Sequence, residues 1–201
     1  MPSLAAGTTD HVECTVSTER RLEAVSPGSI ELRGVAVDAQ AYRRILGHFL
    51  SGVAIVTGMG EEGPAGLAVN SFTAVSLDPP LVAFFPAIRS TSWPRIRAAG
   101  RFCANILGHD QEHVCRRFAM SGADKFTGLR WSPSPNGSPL IDGCLAWIDC
   151  TLDSEHPAGD HTLALGRVLA LHAVPDADHP LAFYRGGYGG FHPTPVSSEA
   201  R

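Results

Sequence analysis

The sequence predicts a mainly β fold: an antiparallel, Greek-key-like barrel with a few short helices outside it. Three observations carry this. Apolar runs of strand length recur, as at Val53-Ala54-Ile55-Val56, Leu81-Val82-Ala83-Phe84-Phe85 and Phe102-Cys103-Ala104-Asn105-Ile106-Leu107, and such runs bounded by turn residues suit buried strands. Gly, Pro, Asn and Asp clusters separate them at hairpin-like spacing. Helical periodicity is brief wherever it occurs. The pattern gives six or seven strands with two or three helices, and strands in hairpin succession favour a barrel.

Taken in order, residues 1–35 hold Ser, Thr, Glu, Gly and Pro without sustained periodicity and read as a loosely held extension. Asp38 is an N-cap candidate for a helix over 39–49, with Tyr42, Ile45, Leu46 and Phe49 on one face. Residues 52–57 form a buried strand, and the Gly/Glu/Pro-rich 59–64 a hairpin turn. Residues 66–78 give two strands, in the second of which Val75 and Leu77 can face a core while Ser76 and Asp78 face away. Pro79-Pro80 supplies no ladder donors and ends it. After the strand at 81–85, Ser92 is an N-cap candidate, Pro94 lies in the first turn and Gly100 is the stop of a short helix. Residues 102–107 form a strand whose Asn105, polar in an apolar run, needs a partner, either backbone or ligand. A helix spans 111–120, with Val114, Phe118 and Ala119 spaced for burial. The Pro/Ser/Gly-rich 131–143 ends in a turn, strands follow over 144–154 and 162–171 around a tight loop at 155–161, and 180–189 closes the domain.

Composition excludes several classes of function. The chain has 201 residues, 44% of them hydrophobic and 18% charged, which suits one folded domain with a substantial core. The net charge is −4 and the pI about 6.1; with no basic run, nucleic acid is not the expected partner. Apolar runs are short and broken by Gly or Pro, so no membrane span is expected. The first residues lack a basic segment and an apolar stretch, so no secretory signal is read. Five cysteines, an odd number without Cys-x-x-Cys spacing, fit reduced thiols in a cytoplasmic protein, with Cys103, Cys144 and Cys150 as small core residues.

The stretch around which the rest is organised is Gly66-Leu67-Ala68-Val69-Asn70-Ser71-Phe72-Thr73-Ala74-Val75-Ser76-Leu77-Asp78-Pro79-Pro80. Gly66 and Ala68 leave little side chain, so a flat ligand can approach the backbone. Asn70, Ser71 and Thr73 add uncharged hydrogen-bonding groups. Further on come Arg89-Ser90-Thr91 before a helix start, a generic anion site, then Lys125-Phe126, Gly159-Asp160-His161 and Tyr184-Arg185-Gly186. Singly, each has an ordinary reading: a capped helix, an anchored loop, a hairpin tip. Together and in this order they resemble the short-chain flavin reductases, the small components of two-component flavin monooxygenases. The resemblance covers residues 38–191. In the leading motif this chain has Ala68-Val69 where the family usually has Thr-Ala, so one hydroxyl available to the flavin is missing.

The resemblance implies an FMN-binding split barrel over residues 36–193, with 194–201 a tail, and usually a homodimer with flavin near the subunit interface. It implies an NAD(P)H:flavin oxidoreductase that reduces FMN or FAD with NADH or NADPH and supplies a separate oxygenase. The flavin ring is expected along Ala68, Val69, Asn70 and Ser71, with Phe85 nearby, and its phosphate at Arg89, Ser90 and Thr91. Asn105, Lys125, Phe126, Tyr184 and Arg185 complete the expected cofactor contacts, Phe126 packing near the rings. His161 is expected to position nicotinamide or stabilise reduced flavin. No indispensable acid or base is expected, because the cofactors carry the chemistry.

Other readings were weighed. His109-Asp110-Gln111-Glu112-His113 matches the inverted zinc-peptidase pattern, but His109 falls at a helix start and a third ligand would have to come from far downstream; no metal is expected. Neither a Gly-x-Ser-x-Gly nor a Gly-x-Gly-x-x-Gly is present, which removes the α/β-hydrolase and dinucleotide-domain readings. A flavin- or haem-binding barrel without turnover is the remaining alternative.

Overall fold

The computed structural model describes residues 38–122, 124–175 and 179–191; Cys14 and the expectations for 1–35 and 194–201 lie outside them. Asp38 caps α1 (Ala39–Leu46), its carboxylate accepting from Gln40 N at 2.8 Å and Ala41 N at 2.7 Å. The helix ends three residues short of the expected 49, and Tyr42, Ile45, Leu46 and Phe49 are exposed rather than packed.

The strands are β1 (Ser51–Gly52), β2 (Ala54–Gly60), β3 (Gly63–Val69), β4 (Thr73–Leu77), β5 (Pro80–Phe84), β6 (Arg101–Ile106), β7 (Trp131–Pro133), β8 (Pro139–Ile141), β9 (Ala146–Ala158), β10 (His161–Ala173), β11 (Leu181–Tyr184) and β12 (Gly187–Gly190). Between them lie α2 (Trp93–Ala98), a 3-10 turn at His109–Gln111 and α3 (Glu112–Ala119). The helices agree with expectation; the strands exceed six or seven because β1, β7, β8 and β12 are two to four residues long and sit in stretches without readable periodicity. β9 and β10 also run further than expected, reducing the loop at 155–161 to a two-residue turn, Gly159-Asp160, between paired Ala158 and His161.

Every pairing in the main sheet is antiparallel, and its seven strands run β3-β2-β6-β9-β10-β5-β4. Its two edges, β3 and β4, are consecutive in the chain and are not paired. Only Asn70, Ser71 and Phe72 join them, a linker that spans no more than about 14 Å. The sheet must therefore curl until its edges approach, a barrel left open along one seam. β2 serves both faces: Ala54 and Val56 enter one core with Phe84, Trp93, Ile96 and Phe102, while Ile55, with Val53 just before the strand, enters a second with Leu107, Val114, Phe118 and Phe126. Burial on both faces is why that segment reads as a continuous apolar run rather than an alternating one.

Two side-chain placements differ from expectation. Val75 and Leu77 do not reach a core; Leu77 is 96% exposed, because β4 is an edge strand and none of the described residues forms a layer over that face. Ala119 is exposed, and Cys115 is buried in α3 beside Val114 and Phe118. Four cysteines, 103, 115, 144 and 150, are free and buried.

Gly66 is required by packing. A Cβ there would stand 2.4 Å from Cε1 of Phe118, a ring 1% exposed and wedged edge-on against Phe126. Gly66→Ala is expected to destabilise the fold by about 1–3 kcal/mol through overpacking, measurable by chemical denaturation; an unchanged midpoint would show that Phe118 can yield.

Candidate functional site

The open seam is where the site lies. A cleft of about 460 Å³ is lined on one side by Leu67, Ala68, Val69, Asn70 and Ser71, the end of β3 and the linker. Opposite stand Phe85 to Ala87 and Arg89 to Ser92, with Phe118 to Ser121 at the end of α3 and Lys125 and His161 completing the wall. The strand end offers small side chains because Val69 and Leu67 point into the core, leaving Ala68 half-buried on the cleft face.

Local hydrogen bonds fix these segments. Ser71 Oγ accepts from Phe85 N at 3.0 Å, bridging the linker to the end of β5 where no ladder forms, and keeps its own proton to donate. Ser90 Oγ accepts from Trp93 N at 3.1 Å. Ser92 stands at the N-cap of α2 as expected, but it has helical angles and its side chain makes no capping bond; the hydroxyl that takes the first helical N–H is that of Ser90. The Ser92 hydroxyl instead accepts from Lys125 Nζ at 3.1 Å.

Lys125 is only 7% exposed. Its ammonium also donates to Gly66 O and Phe118 O, each at 3.0 Å, so all three acceptors are neutral oxygens. Desolvation lowers its pKa. His161 starts β10 and is held beside the 86–88 segment by Thr162 N to Pro86 O and Ile88 N to Asp160 O, both 3.0 Å. Its Nδ1 lies 2.7 Å from Asp160 Oδ1, and that hydrogen bond lowers the Asp160 pKa. The carboxylate fixes the imidazole's orientation and leaves Nε2 free. No carboxylate lines the cleft itself; its charged members are Arg89 and Lys125.

Ten of the fourteen expected cofactor contacts meet here: Ala68, Val69, Asn70, Ser71, Phe85, Arg89, Ser90, Thr91, Lys125 and His161. Four do not. Asn105 is fully buried; its Oδ1 accepts from Ile141 N at 2.9 Å, and its Nδ2 faces Thr57 Oγ1 at 3.1 Å, Ile55 O at 3.2 Å and Pro139 O at 3.3 Å, so its partners are backbone and one buried hydroxyl, and it clamps the β7–β8 hairpin to the sheet. Phe126 packs in the core against Phe118 and Trp131. Tyr184 ends β11 and Arg185 lies in the turn to β12, next to the end of α1, with Arg185 N donating to Gly47 O at 2.9 Å and Tyr184 edge-on to His48. Leu67, Pro86, Ala87, Ser92 and residues 118–121 also line the cleft and were not expected there; nothing local marks them, since only the return of α3 to β3 brings the last group in.

The zinc pattern is not assembled. Glu112 pairs with Arg116 at 2.6 Å, His113 Nδ1 lies 3.2 Å from Asp110 O, and His109 stacks edge-on with His179. Among the described residues no three metal-ligating side chains come together, and no helix is long and apolar enough to cross a membrane.

Residues 46–192 match the model of the flavin reductase like domain. The chain is 54% identical over 157 residues to a flavin reductase of Pseudomonas putida, covering 78% of this chain and 92% of that one. It is 46% identical over 158 residues to the reductase subunit of a flavin-dependent monooxygenase of Rhodococcus jostii, covering 79% and 80%. Among solved structures it is similar to a homologue of nitrilotriacetate monooxygenase component B from Mycobacterium thermoresistibile, with TM-score 0.75 and 48% identity over 80% of this chain and 92% of that one.

If Asn105 is a clamp and not a ligand contact, Asn105→Leu lowers stability by about 1–3 kcal/mol for its unsatisfied partners and leaves the affinity for flavin, per folded molecule, within twofold or so by the same reasoning. Denaturation and a flavin titration of the same preparation read the two effects separately.

Proposed function

The chain belongs to the family of flavin reductase-like domains, and we propose on that premise that it is an NAD(P)H:flavin oxidoreductase acting through the seam cleft. The observation that carries this reading is the cleft's donor set. Small and uncharged groups from Ala68 to Ser71 face hydroxyls and two cations, with no carboxylate between them. That set fits a flat, neutral ring attached to a phosphate. Flavin, when bound, supplies the redox chemistry by accepting a hydride from reduced nicotinamide, the donor and acceptor atoms stacked about 3–3.5 Å apart.

The protein's own groups bind, orient and exclude. Ala68 and Val69 allow ring contact with the strand, and Asn70 and Ser71 offer hydrogen bonds at its edge. Ser90, Thr91, Arg89 and Lys125 take the phosphate. His161, held by Asp160 at the rim, orients the nicotinamide from the open side. Phe126 supports the cleft from within the core. The sequence has no Gly-x-Gly-x-x-Gly, and on this reading the reductant binds transiently over the flavin.

The wider reading is a reductase domain over 36–193 with terminal extensions, a cytoplasmic homodimer, and a separate flavin-dependent oxygenase that receives reduced flavin. The exposed apolar face of α1 and the exposed edge strand β4 support a second copy. The free, buried cysteines accord with a reducing compartment. Tyr184 and Arg185, outside their own chain's cleft, fit contacts across such an interface.

The test is oxidation of NADH or NADPH with FMN and with FAD, followed by loss of reduced-nicotinamide absorbance. Flavin-dependent turnover is expected; bound flavin with no turnover from either nicotinamide would reject the reading. His161→Ala is expected to lower kcat/KM for the nicotinamide about tenfold, less than the hundredfold or more typical of a lost general acid or base, with flavin affinity nearly unchanged. Asp160 has a pKa below its ordinary 3.8, so its carboxylate stays charged through neutral and mildly acid pH. Asp160→Asn should accordingly give a smaller loss than His161→Ala.

A further inference from the structure

A hollow of about 300 Å³ adjoins the cleft, at the lower limit of small-molecule sites. Ala68, Val69, Asn70 and Ala119 line both spaces. The floor of the hollow includes Val53 and Cys115, each 3% exposed, and its mouth is marked by Asn70 and Ala119, which are exposed. The geometry points to a binding site for a small, neutral, single-ring phenol, whose occupant shares a wall with flavin and shifts the affinity for flavin. The site stands on the hollow's own lining; the coupling rests on the flavin reading above.

The lining selects the class of ligand. Among the described residues that border the hollow none is charged and none is a histidine. A charged ligand would lose its hydration there and gain no opposite charge, so the occupant is neutral. Phe183 and Tyr188 supply two rings, centroids 5.3 Å apart and inclined at 59°, and a third ring can meet such a pair edge-on or offset. Cys115 adds a small, polarisable sulfur.

One hydroxyl gives the site direction. Cys115 Sγ donates to Tyr188 Oη at 3.3 Å, so the proton of that hydroxyl is left to donate. Burial pushes the Tyr188 pKa up to about 12, and the proton stays in place through neutral pH. Arg116 lies over the Tyr188 ring, 5.0 Å from its centroid, and holds it from outside. Arg116 is itself paired with Glu112 at 2.6 Å, so its charge is met away from the hollow. A phenolic oxygen has lone pairs to accept the Tyr188 proton, and a phenol is itself neutral at neutral pH.

Occupancy reaches the cleft through the shared residues. Ala68 is half-buried between the two spaces, and a ring packed behind it backs the wall that flavin would lie against. Linkage makes the effect mutual: phenol tightens flavin by the factor by which flavin tightens phenol.

The test titrates the full chain with 4-methylphenol and with toluene, read by ligand-observed NMR, and with flavin, read by fluorescence. The flavin-free wild type should bind 4-methylphenol with a dissociation constant of about 1 mM or tighter. Tyr188→Phe should weaken 4-methylphenol about fivefold, for one neutral hydrogen bond, and leave toluene within about twofold. Cys115→Met extends a floor side chain into the hollow and should abolish binding of both; Tyr188→Phe, nearly isosteric, decides the matter if Cys115→Met does not fold. Saturating 4-methylphenol should lower the flavin dissociation constant about fivefold, the low end of typical couplings, and an unchanged constant overturns the coupling. A wild type that binds no 4-methylphenol, or a Tyr188→Phe effect equal for both probes, overturns the site. Competition between 4-methylphenol and flavin also overturns it, since the hollow would then belong to the cleft. Binding of 4-methylphenol by a protein that takes no flavin would reject the flavin reading and keep the site.

Discussion

A three-residue linker governs this structure. Asn70, Ser71 and Phe72 carry the chain from one outer strand of a seven-stranded sheet to the other, and so short a connection forces the sheet to roll until its edges approach. The edges do not pair. Had they paired, the barrel would be closed and its backbone groups satisfied by a ladder. Instead Ser71 takes the one amide nearest the gap, Phe85 N, and the rest of the seam is left as a cleft with strand backbone accessible along one wall. The site is thus a consequence of how the barrel fails to close.

The gap is stiffened from behind by a buried ammonium. Lys125 ties β3, the end of α3 and the start of α2 through Gly66 O, Phe118 O and Ser92 Oγ. Neutral partners satisfy its hydrogen bonds but not its charge, and desolvation works against the charged form, which lowers its pKa. Burying a charge without an opposite one costs several kcal/mol, offset here by three charge-assisted bonds. An anionic ligand adjacent to it recovers more of that cost than any neutral one, so the same group that holds three elements together also biases the cleft toward phosphate.

The legible part of this fold was whatever depended on near neighbours. Strands buried on both faces, such as β2, β5 and β6, announce themselves as apolar runs, and Asp38 announces α1. The seam residues were readable because they lie in short contiguous segments, 68–71 and 89–91. What depended on distant partners was not. Asn105 could be seen to need a partner, but that partner is the backbone of Pro139 and Ile141, some 34 and 36 residues on. Val75 and Leu77 alternate as a half-buried strand should, yet alternation says nothing of whether a layer covers that face. Ser92 could be read as the N-cap of α2, but that its hydroxyl is turned from the helix to Lys125, 33 residues beyond, could not.

Ala68 illustrates how the two levels meet. The family's usual threonine would place a hydroxyl at this point of the seam. Here the position is shared by the cleft and by an apolar hollow of about 300 Å³ that includes Val53, Cys115, Phe183 and Tyr188, and Ala68 packs against the second core cluster. The polar groups a hydroxyl would find in that hollow are Asn70, which also lines it, and Tyr188, whose own hydroxyl lies 3.3 Å from Cys115 Sγ. Alanine keeps the wall apolar on the hollow side and flat on the cleft side. The hydrogen bonding that threonine would have offered passes to the linker, where Asn70 is exposed and Ser71 is already oriented by Phe85 N. Hydride transfer between two bound cofactors needs close, aligned rings more than it needs protein protons, so a wall that trades one hydroxyl for a closer approach loses little of what the reaction requires.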